Sequence, residues 1–67
     1  MPSSVIKKYF YDPENKVLTI IYQSGAVYDY LDVSQEVFDE MRAAYSKGTF
    51  LNQKIKPNYR FAKKGEI

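Results

Sequence analysis

Apolar and polar positions along the chain follow a two-residue period in three successive stretches before a helical period takes over. Residues 5–11 (VIKKYFY) alternate imperfectly and are rich in β-branched and aromatic side chains, and Asp12-Pro13-Glu14-Asn15 supplies turn chemistry with proline at a favoured position. Residues 16–23 (KVLTIIYQ) and 26–31 (AVYDYL) read as a second and third strand, with Ser24-Gly25 between them. The pattern predicts an antiparallel meander of two hairpins.

Loop length at the second hairpin decides which side chains share a face. A two-residue loop of Ser24 and Gly25 would place Asp29 among Leu18, Ile20, Tyr22, Val27 and Leu31. A three-residue loop, with Gly25 in the left-handed bulge position, instead groups Leu18, Ile20, Tyr22, Ala26, Tyr28 and Tyr30. The second register segregates polar from apolar residues more cleanly and is preferred.

Beyond the strands, Ser34 suits the N-cap of a helix over 35–45, with Val33 and Phe38 placed as a hydrophobic staple. Val37, Phe38, Met41, Ala44 and Tyr45 form an apolar stripe at helical spacing, and that stripe should cover the tyrosine face of the sheet. Gly48 suits the left-handed residue that ends such a helix. Thr49 then caps a shorter helix through Phe50, Leu51 and Ile55, which must stop near Lys56 because Pro57 follows. The expected fold is α+β: a three-stranded antiparallel β-meander packed against one α-helix, then a short second helix and a basic C-terminal tail. A short strand at Tyr59-Arg60-Phe61 is an option, whereas Lys63-Lys64-Gly65-Glu66-Ile67 reads as a fraying tail. With 67 residues the chain is read as one domain over 1–67, compact over about 3–60 and flexible over 61–67.

Composition narrows the chemistry. The chain is 45% hydrophobic and 16% aromatic, enough for a small core and well above a disordered segment. Cysteine and histidine are both absent, which removes disulfides, thiolate and imidazole metal sites, and Ser-His or Cys-His catalysis. Glu36, Asp39 and Glu40 fall three and four apart on a helix, a spacing that suits a solvated face better than a cation site. Asp12, Glu14 and Lys16 crowd a single turn with no second acidic strand to complete a nuclease-like set. No catalytic residue, cofactor or metal is expected. No apolar run reaches the roughly 20 residues of a membrane span, and Met1-Pro2-Ser3-Ser4 lacks a signal-peptide pattern, so the expected setting is cytoplasmic.

The net charge of +2 hides a division within the chain. Residues 1–41 carry three lysines against seven acids, whereas residues 42–67 carry seven basic residues against Glu66 alone. Within that basic third, Asn52, Lys54, Lys56 and Arg60 form a candidate nucleic-acid-binding set, cations for phosphate and an amide for polar contacts. The competing reading is an ordinary solvated surface. Seven tyrosines invite a stacking role, but Tyr22, Tyr28 and Tyr30 fall on the face assigned to the core. Tyr9 and Tyr11 cannot share a face with Phe10, so one side of the first strand exposes aromatic surface; Tyr9 or Tyr11, with Lys7 beside them, are the stacking candidates. The expected partner is RNA, either tRNA or a single strand. The alternative is another protein, held at a sheet edge or on the strip Thr19, Ile21 and Val27.

From Ser3 to about Tyr59 the chain resembles the KTSC domain, a small bacterial domain named from the C-terminus of some lysyl-tRNA synthetases. The resemblance rests on Ser3-Ser4 with Ile6, Tyr11-Asp12, Leu18-x-Ile20-x-Tyr22, Gly25, Tyr28-Asp29-Tyr30, Val33, Ala44-x-Ser46-Lys47-Gly48, Phe50-x-Asn52, and Ile55 with Tyr59. Order and spacing over the full length carry it. Ser34 stands where the family often has proline, Leu51 where a second aromatic is frequent, and Lys56 where arginine is usual. Lysine keeps the charge at position 56 but lacks the planar fork that grips phosphate at two points. The resemblance implies a binding module, with RNA suggested by the attachment to a tRNA-charging enzyme.

Overall fold

The structure is a computed structural model that describes residues 6–66. Val5, with which the first strand was expected to begin, the Ser3-Ser4 pair and Ile67 lie outside the described residues. Strands β1 (Ile6–Asp12), β2 (Val17–Tyr22) and β3 (Ala26–Tyr30) form the expected meander. Helices α1 (Gln35–Ala43) and α2 (Lys47–Phe50) follow; α2 runs directly into a π-helical segment, Leu51–Ile55. A fourth strand, β4 (Phe61–Glu66), completes an antiparallel sheet of order β1-β2-β3-β4.

The second hairpin takes the three-residue loop. Leu18 faces Tyr30 and Ile20 faces Tyr28 across β2 and β3. Gly25, at φ 95°, occupies the left-handed position, and its N–H donates to the Tyr22 carbonyl at 2.9 Å. Asp29 is therefore on the outer face, where its carboxylate accepts a 2.6 Å bond from the Thr19 hydroxyl and lies 3.5 Å from Lys64 Nζ. The inner face carries Leu18, Ile20 and Tyr30, which join Val33, Met41, Leu51 and Ile55 in the buried core. Fully burying side chains of this size contributes about 1.5–3 kcal/mol each.

Register across β1 and β2 settles the first strand. Tyr9 faces Ile20 and Tyr11 faces Leu18, so both tyrosines point inward, and Phe10 opposite Thr19 points outward and is 55% exposed. A bulge between Ile6 and Lys8 accommodates Lys7.

Four expectations are corrected. The sheet has four strands rather than three, because the segment read as a tail pairs with β3: Tyr30 faces Phe61 and Asp29 faces Ala62. Cross-strand backbone bonding supplies what the side-chain pattern AKKGE does not advertise. Helix α1 stops at Ala43, and Ala44 turns extended at φ −66°, ψ 140°, so Tyr45 leaves the apolar stripe and is 89% exposed. Gly48 accordingly lies inside α2 instead of terminating α1. Ser46, not Thr49, caps the second helix: its hydroxyl accepts the Thr49 N–H at 3.2 Å, so the helix starts earlier.

The π-helical turn closes with the Lys56 N–H on the Leu51 carbonyl at 2.9 Å. Pro57 can donate nothing, and the helix ends there. The Asn58 side-chain amide reaches back to the Lys54 carbonyl at 2.9 Å, satisfying an acceptor that the helix leaves open.

Candidate functional site

Inward-facing side chains of the sheet exceed the area that the helices cover. At the β1 side Phe38 of α1 stacks on Tyr11, with ring centroids 4.6 Å apart, and meets Tyr9 edge-on at 6.0 Å. The Tyr11 hydroxyl donates a 2.6 Å bond to the Val33 carbonyl, fixing β1 to the approach to α1. Tyr9 and Tyr11, the stacking candidates of the sequence reading, thus have their rings engaged by Phe38.

Toward β4 the inner face opens. Tyr22, Tyr28, Tyr30 and Phe61 line a cleft of about 410 Å3, bounded on the helix side by Lys56. Successive rings touch. Tyr22 meets Tyr28 edge-on at 5.4 Å, Tyr28 and Phe61 are tilted at 5.4 Å, and Tyr30 lies 5.9 Å from Phe61. Each strand from β2 to β4 contributes at least one ring, because residues two apart along a strand repeat on one face. Phe61 is 57% exposed, an uncovered ring on the outer wall.

The polar parts of the cleft are few. Tyr22 and Tyr30 hydroxyls share a hydrogen bond of 2.7 Å. Burial pushes both phenols above the usual tyrosine value; for Tyr22 the shared bond and the neighbouring Tyr30 and Tyr28 add to the rise, whereas for Tyr30 burial outweighs the lowering effect of that bond. Both stay neutral donors and acceptors at physiological pH. The Lys56 ammonium sits 5.5 Å from the Tyr22 ring centroid, a cation–π contact. A second depression of about 320 Å3 shares Tyr22, Ser24 and Lys56 with the first and adds Gln23 and Asn52. Among the described residues, none of those lining these two depressions is acidic.

Of the seven residues singled out from the sequence, Lys56 is brought to this cleft and Asn52 to the depression beside it. Lys54 instead lines a separate hollow of about 230 Å3 with Glu40, Asn58 and Tyr59. Arg60 is exposed just before β4, and its carbonyl accepts the Leu31 N–H at 2.8 Å. Lys7 is exposed on β1, at the opposite edge of the sheet from β4. Tyr22, Tyr28 and Phe61 were not read as site residues. The inward register of Tyr22 and Tyr28 was legible, but the incomplete cover over that face and the pairing that brings Phe61 to it were not. No group of three or more aspartate or glutamate side chains converges among the described residues, and no helix among them is long and apolar enough to cross a membrane.

Fold and cleft together define a small α+β module: a four-stranded antiparallel sheet, two helices on one face, and an aromatic cleft left open where the helices end. The KTSC domain model matches residues 2–59, and the chain belongs to the KTSC domain family. A crystal structure of a KTSC domain protein from Yersinia pestis superposes with a TM-score of 0.86 at 33% identity, covering 97% of this chain and 94% of that one. A protein from Tsukamurella paurometabola is 43% identical over 58 residues, 87% of each chain. A lysine-tRNA ligase from Nostoc punctiforme is 40% identical over 58 residues, and the chain spans 10% of that ligase's length.

Proposed function

We propose that this chain is a noncatalytic module that binds RNA or another nucleic acid in single-stranded form, with the aromatic cleft as its contact surface. The observation that carries the reading is the joining of a ring-lined cleft, with Phe61 exposed in its wall, to Lys56 and, in the adjoining depression, Asn52, with no acidic side chain among the described residues that line the two. Stacked rings beside cations are what unpaired bases on a charged backbone require, since every base presents a π-face and every linkage a phosphate. The basic C-terminal third also carries Lys54 and Arg60, both exposed cations that phosphates of a longer strand would attract. Relatives named as lysine-tRNA ligases support RNA by association, which is a weaker warrant than the geometry.

Fluorescence titration with single-stranded RNA over a range of salt tests the reading. Three to four phosphate contacts give a log-log slope of about −2 to −3. Absence of binding at low salt overturns it.

One observation favours a second reading, binding of a protein. The outer sheet face carries no helix and exposes Phe10 at 55%, close to Thr19, with Ile21 and Val27 on the same face. Protein partners that survive nuclease treatment and are lost on Phe10→Ser would move the function to that face.

A further inference from the structure

We infer that the cleft holds one unpaired nucleotide at a time, its base lying against Tyr28 and Phe61 and its phosphate on Lys56. This rests on the nucleic-acid reading above and specifies what the site takes.

Size and charge set the ligand. A cleft of about 410 Å3 has room for a single base with its sugar against its ring walls. Rings set at 5.4 Å around Tyr28 resemble the walls that hold organic cations, but the Lys56 ammonium already occupies that environment, 5.5 Å from the Tyr22 centroid. A second cation is repelled there. A ligand that joins a neutral planar ring to a separate negative group is attracted by both elements, the ring by the aromatic walls and the charge by Lys56, and a nucleotide has that combination.

Ring occupancy sets the position. Lys56 lies over Tyr22, the edge of one tyrosine meets the other at 88°, and Tyr30 is only 2% exposed. Phe61 is the wall with exposed surface to offer, at 57%, and Tyr28 stands 5.4 Å from it. A base entering from solvent therefore meets Phe61 and Tyr28 first. Its phosphate then lies toward Lys56 and Asn52, which border the adjoining depression. Phe61 also falls beyond the residues 2–59 that the family model matches, so the decisive wall comes from outside the matched stretch.

The test uses the full chain, a short single-stranded oligoadenylate, the same sequence as a duplex, and free adenosine 5′-monophosphate. Ring-proton NMR should show Tyr28 and Phe61 shifting with the oligoadenylate, and adenosine 5′-monophosphate should displace it from the same resonances. The duplex should leave those rings unshifted. Phe61→Leu retains apolar bulk without a ring and should weaken oligoadenylate binding about tenfold, the effect of one lost base stack, with an unchanged melting temperature. Phe61→Tyr should restore it. If the oligoadenylate binds while these rings stay unshifted, or Phe61→Leu binds like the parent, the single-nucleotide site is overturned and the broader RNA reading stands. If no oligonucleotide binds at all, both fall together.

Discussion

The hydroxyls of Tyr22 and Tyr30, 2.7 Å apart, tie the floor of the cleft to the core, because Tyr30 is buried and Tyr22 is half-buried at the rim. Both phenols titrate above the tyrosine value of about 10 that the unfolded chain shows. Groups with raised folded values contribute stability that is complete below the unfolded value and is lost as pH rises through the folded one. Denaturant midpoints should therefore hold steady toward pH 10 and fall above it. Tyr22→Phe should cost about 1 kcal/mol at neutral pH, because the buried Tyr30 hydroxyl loses its partner, and should flatten the alkaline fall. An unchanged alkaline fall in that variant would mean that the pair contributes nothing. Asn52 and Lys56 were legible as candidates because a cation and an amide stand out in any sequence, whereas Tyr22 and Tyr28 were hidden by a correct inference. They do face inward, and nothing in their own spacing tells how far a helix will extend over them.

Elements were read best where side-chain periodicity is strong. Strands β1 to β3 and the cap at Ser34 follow from alternation and turn chemistry; the Ser34 hydroxyl accepts the Val37 N–H at 3.3 Å, as expected. Two boundaries were misread for the same reason. Ala44 and Tyr45 extend the apolar stripe on paper, but Ser46 three residues before Thr49 starts a new helix, and the chain between must be extended to reach it. Ser46→Ala should consequently destabilise the protein by about 1 kcal/mol. Thr49→Ala, at an exposed position within the helix, should stay within about 0.5 kcal/mol of the parent. Thermal melts of the two variants separate these assignments, and a reversed order would restore Thr49 as the cap. Strand β4 was missed because AKKGE has neither alternation nor β-branched residues, and its place depends on the free edge of β3.

At the scale of the whole molecule, the acidic first part and basic last part of the sequence remain distinct in space only in part. Lys64 of β4 reaches back to Asp29, while Lys56 is held at the cleft over Tyr22. Charge counting singled out the last third of the chain and could not say which of its cations would be spent on internal partners. The sheet order adds a consequence for assembly. Tight turns join β1 to β2 and β2 to β3, but both helices intervene before β4 can meet β3. Closing that long excursion costs more chain entropy than closing either hairpin, so β4 docks late and leaves early. Amides of β4 that bond to β3 should exchange with solvent through a local opening, faster than amides of β2; exchange only on global unfolding would contradict this. Since Phe61 is the first residue of β4, the cleft's outer wall would come and go with that strand while Leu18, Ile20 and Leu51 stay packed. Ligand held against Phe61 would then act as a latch, slowing the release of the last strand to arrive.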